Sequence, residues 1–137
     1  MSSLPPYNPR LGDRAAWLLP VDDAEQLPPA LPVPAAGWRR VVVDDPALSD
    51  RVTNLCGGAL PEVLAEWQVG DPGGDGWIAV IGAPGFVERA LRRLMGMPDG
   101  TARFVLVPGA TTVVQLLPDR AVLVRLNDGH ALTELRA

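Results

Sequence analysis

Side chains able to do acid–base, nucleophilic or ligand chemistry are few in this chain and fall into small groups. Asp22-Asp23 and Asp44-Asp45 are two pairs of adjacent carboxylates, each just after an apolar run. Such a pair can move a proton or hold a cation. Neighbouring side chains on an extended backbone point to opposite faces, however, so capping or solvation is the simpler account of both pairs. Cys56 is the one cysteine, and a nucleophilic role would need a base beside it. None is identifiable in the sequence, so Cys56 reads as a core thiol. His130 is the one histidine, and in LNDGHAL it reads as a turn or edge residue with a structural hydrogen bond. One imidazole and one thiol speak against a conventional zinc site. Arg51 is a candidate anion ligand, with a surface or structural arginine as the simpler reading. Glu88, Arg89, Arg92 and Arg93 look like an anion patch, but Glu88 and Arg92 stand i,i+4, which suits a solvated helix face better.

These groups must be held by elements the sequence can specify. The organising stretch runs over residues 77–98, WIAVIGAPGFVERALRRLMGMP. Residues 77–81 form a short, β-branched apolar run that reads as a buried strand. Gly82-Ala83-Pro84-Gly85 turns the chain, with Pro84 suited to a first helical position. Phe86, Val87, Ala90, Leu91, Leu94 and Met95 then share one helical face, and Gly96 and Pro98 stop the helix. A strand feeding a helix through a tight turn aims backbone N–H groups at whatever lies above the sheet. Gly82, Ala83 and Gly85 are therefore the expected place for a small anion.

The other elements follow in order. Residues 15–19 are a first strand candidate, and residues 27–37, LPPALPVPAAG, a proline-rich connector that excludes an ordinary helix. Residues 38–43 read as a strand broken by Asp44-Asp45-Pro46. Ser49 or Asp50 can cap a helix through about Cys56, ended by Gly57-Gly58. Residues 59–67 place Leu60, Val63, Leu64 and Trp67 at helical spacing and predict a second helix. Beyond Pro98, residues 103–107, 111–117 and 121–126 read as strands, with Pro108-Gly109 and Pro118-Asp119 at the turns. There is no internal repeat.

At 137 residues the chain reads as one domain over 14–137, preceded by an extended proline-rich arm over 1–13. The simpler reading of that arm is a disordered tail; the sharper one is an arm that docks on a partner, with Tyr7 as a candidate anchor. A formal charge of −4 repels nucleic acid and gives no reason for membrane attraction. No apolar run approaches the roughly 20 residues of a membrane span, and MSSLPPYNPR lacks the features of a signal peptide. A cytoplasmic protein with no disulfide and no cofactor is expected. All 12 basic residues are arginine, which with the abundant Ala, Pro, Gly and Val fits coding in a GC-rich bacterial genome.

The stretch Val80-Ile81-Gly82-Ala83-Pro84-Gly85, closing on Met95-Gly96-Met97-Pro98, resembles a motif of the histidine phosphatase superfamily, the phosphoglycerate mutase-like proteins. There a strand, turn and helix read roughly Val-Val-Ser-His-Gly-Gly and end in Leu-Gly-Leu-Pro. The tail ARFVLVPGATTVVQLLPDRAVLVRLNDGHAL resembles the closing strands of that family. More loosely, Leu18-Leu19-Pro20-Val21-Asp22-Asp23-Ala24 is similar to its first strand end, and residues 43–53 to the segment carrying a phosphate-binding arginine, near Arg51. A competing register matches Leu48-Ser49-Asp50 to a later segment. The resemblance implies an α/β fold, a reduced three-layer sandwich with a C-terminal β meander. It also implies that both catalytic histidine positions have been lost, to Val21 and Ala83. The expectation is a pseudoenzyme, an accessory or structural subunit acting through protein–protein binding. The alternative is a sensor of phosphorylated metabolites that keeps Arg51, Gly82, Ala83 and Gly85 as a vestigial anion site. New chemistry on Asp22, Asp23, Asp44 or Cys56 is the third expectation.

Overall fold

Strands with unbroken apolar runs must be covered on both faces, and this requirement sets the architecture. In the computed structural model, residues 14–28, 38–58, 60–63, 76–98, 104–117 and 121–128 are described. They form β1 (Arg14–Pro20), β2 (Trp38–Val43), α1 (Ser49–Leu55), β3 (Glu62–Val63), β4 (Gly76–Gly82), α2 (Pro84–Leu94), β5 (Thr111–Leu116) and β6 (Ala121–Asp128). Short 3-10 turns at Ala24–Gln26 and Pro46–Leu48 follow β1 and β2. The strands make one six-stranded sheet in the order β3-β2-β4-β1-β5-β6. β3, β2, β4 and β1 run parallel, and β5 and β6 close the sheet as antiparallel neighbours.

Alternation along the strands divides the core into two. On one face, Ala15, Trp17 and Leu19 of β1 join Val41 and Val43 of β2, Trp77, Ala79 and Ile81 of β4, and Val52, Leu55 and Cys56 of the α1 region. On the other, Ala16, Leu18, Val42, Ile78, Val80 and Val114 meet Phe86, Val87, Ala90 and Leu91 of α2. The sheet thus has α1 against one face and α2 against the other, the expected three layers. Near the strand starts, Trp77 packs against Trp17 with ring centroids 5.8 Å apart and edge-on against Trp38 at 6.3 Å. Offset and edge-to-face geometries of this kind suit the ring quadrupoles.

Four expectations need correction. Residues 60–63, the part of the expected 59–67 helix that lies within the described residues, are not helical, and Glu62–Val63 (β3) pairs in parallel with β2 through Val42–Glu62 and Val43–Val63. The edge of β2 offers backbone groups that a helix there would leave unpaired, and Glu62 meets Arg40 across the pair at 2.9 Å. Leu60, placed on an apolar face by its spacing, is 83% exposed. Residues 104–107 do not join the sheet, because β5 already has β1 and β6 as neighbours. Instead the Asn127 side chain holds them, accepting from Val107 N–H at 2.8 Å and donating to the Val105 carbonyl at 2.7 Å. Asn127 takes φ 52°, a left-handed backbone that asparagine tolerates better than most residues. Neither Ser49 nor Asp50 caps α1; its N-cap is Leu48, with no side-chain cap bond. The preceding 3-10 turn carries the cap instead, through Asp45.

The fourth correction concerns α2. Glu88 and Arg92 do pair at i,i+4, with 3.6 Å between charged atoms, but their side chains are only 12% and 8% exposed. Arg92 also donates to the Pro98 carbonyl at 2.9 Å, which draws its guanidinium inward to close the helix end. The pair is therefore an interior one. Arg92→Ala, which removes the cation beside a buried carboxylate, is expected to cost about 3 kcal/mol in urea unfolding. Arg89→Ala, on the exposed face, is expected to stay within about 0.5 kcal/mol.

Candidate functional site

The parallel strands β1, β2 and β4 end side by side, and each hands the chain to a tight turn. Val21 follows β1, Asp44 follows β2, and Ala83 follows β4. Val21 N–H donates to the Gly82 carbonyl at 2.8 Å, which fixes the first and third turns against each other. A cleft of about 260 Å³ opens above these ends, lined by Val21, Asp22, Asp23, Ala24, Asp44, Asp45, Ala47, Leu48 and Ala83. Crevices outside the carboxyl ends of parallel strands are the usual ligand positions in open α/β sheets. The two positions that the resemblance assigns to imidazoles, Val21 and Ala83, meet at this cleft.

The four aspartates also meet there, and three have structural employment. Asp23 Oδ1 accepts from Glu25 N–H at 2.8 Å, and Asp45 Oδ1 accepts from Ala47 N–H at 2.9 Å, each capping a 3-10 turn. Asp44 Oδ2 accepts from Ala83 N–H at 3.0 Å, reaching across from β2 to the start of α2. The Asp22 N–H donates to Gln26 Oε1. Capping accounts for Asp23 and Asp45 as local sequence reading expects. The contact of Asp44 with Ala83 spans 39 residues, and no local pattern announces it.

Of the remaining candidates only Ala83 lines the cleft. Gly82 is buried at the end of β4, while Ala83 and Gly85 are exposed at the N-cap and in the first turn of α2. Arg51 does not line the cleft. Its guanidinium donates to the Ala24 carbonyl at 3.3 Å and sits 3.7 Å from the Glu25 carboxylate, and both side chains of that ion pair are largely exposed. Screened pairs of this kind contribute little to stability. Tyr7 and His130 lie outside the described residues. Among the described residues no group of three or more His, Cys, Asp or Glu side chains is arranged to hold a metal ion. No helix among them is long and apolar enough to cross a membrane.

Cys56 follows α1 in the core, 2% exposed. Burial disfavours its thiolate and pushes the thiol from 9.0 up to about 11. The folded state thus holds this proton more tightly than the unfolded chain does. The contribution to stability is full below pH 9.0 and is lost as pH rises through about 11. A thiol reagent at pH 8 is therefore expected to label Cys56 only in denaturant. The urea midpoint should fall more steeply above pH 9 in the native sequence than in Cys56→Ala.

No protein-family model matches the chain, and no curated protein matches it. A solved structure does. It is the crystal structure of an Escherichia coli K-12 protein that carries the provisional description alpha-ribazole-5'-P phosphatase. The match covers 86% of this chain and 98% of that one, with a TM-score of 0.51 and 14% sequence identity. Identity at that level speaks for the fold alone. The chain has the phosphoglycerate mutase-like α/β fold of this neighbour, with its cleft at the carboxyl ends of the parallel strands.

Proposed function

We propose that this chain is a non-catalytic, histidine-phosphatase-like protein that acts by binding another protein, as an accessory or structural subunit. The observation that carries the reading is the lining of the cleft. Its described lining presents four carboxylates and the apolar side chains of Val21, Ala24, Ala47, Leu48 and Ala83, with neither an imidazole nor a guanidinium among these described residues. Phosphoryl transfer needs a nucleophile and positive charge around the moving group. Valine and alanine supply neither at the two positions concerned. The edges of the sheet add a second support. Val63 on β3 and Leu126 on β6 are exposed apolar residues on the outermost strands, and Val105 and Val107 are exposed close to Asn127. Apolar groups beside an open strand edge are the kind of surface that a partner covers.

The same lining weighs against the phosphorylated-metabolite sensor. Arg51, the cation such a sensor would use, is turned to Ala24 and Glu25. The test is native purification of the tagged full chain. A partner is expected in fixed ratio, lost when residues 1–13 are removed and weakened by Tyr7→Ala. Recovery of the monomer alone at native levels would overturn the reading. Phosphoester hydrolysis by contaminant-free protein, at a rate above that of heat-inactivated protein, would overturn it equally. A thermal-shift panel of phosphorylated metabolites is expected to give no rise in melting temperature. A saturable rise abolished by Arg51→Ala would favour the sensor.

A further inference from the structure

We draw no further inference here: the strongest candidate, the exposed apolar patch of Val105, Val107 and Leu126 gathered around the Asn127 side chain at the end of β6, carries nothing because nothing in the structure shows what covers it.

Discussion

The pairing of β1 with β4 is the constraint on which the rest of the molecule depends. Seven residues of each run in parallel register, from Arg14 opposite Gly76 to Pro20 opposite Gly82. Ala16, Leu18, Val80 and Ile81 in this pair are fully buried, so neither face can be left to water. A parallel pair needs a long crossover, and burial on both faces requires cover on both sides. The α1 region and α2 supply it, each with its own apolar cluster. The register also brings the carboxyl ends of the two strands level. That is why Val21 N–H reaches the Gly82 carbonyl and why residues 62 positions apart line one cleft.

Much of this was readable from the residues because period and length agreed. The run before Gly82 is short and β-branched, and the residues after it repeat at helical spacing, so β4 and α2 fell where the pattern put them. Three of the four failures share a cause: a partner outside the local pattern overrode a local preference. Leu60 and Val63 sit at helical spacing, yet the open edge of β2 and the Arg40 guanidinium recruit Glu62 into a strand. Phe104 to Val107 alternates like a strand, but the ladder positions beside β5 are taken, and the Asn127 side chain together with the α2-side apolar cluster holds it instead. Arg92 reads as a surface charge until the Pro98 carbonyl, six residues on, gives its guanidinium a reason to turn inward.

The candidate site was legible in part. Asp23 and Asp45 carry a local capping signal, since each stands two residues before the N–H it accepts. The place of the cleft follows from strand ends and turns, which a sequence shows. Which carboxylate crosses to which strand does not. Asp44 leaves β2, and β2 lies next to β4 only because the chain skips a position when it returns from β3. That order is a property of the whole sheet. Gly82 gave half of the signal, a residue without a side chain at the end of a buried strand, where a Cβ would stand 2.6 Å from Asp44 Oδ1; the other half sits 38 positions earlier.

Charge at the strand ends then decides what the crevice can accept. Two unit charges roughly 4 Å apart at a partly solvated surface interact by about 4 kcal/mol. A phosphate entering this cleft would meet four carboxylates in its lining and, among the described lining residues, no compensating guanidinium; Arg51 faces Glu25 instead. One helix end, worth about 0.3–1 kcal/mol to an anion at an exposed position, does not offset repulsion of that size. The same carboxylates are held in place by backbone N–H groups that they satisfy, so removing them would unpair the turns that shape the cleft. Fold and charge are thereby tied together: the groups that build these turns are also the groups that give the crevice its negative lining.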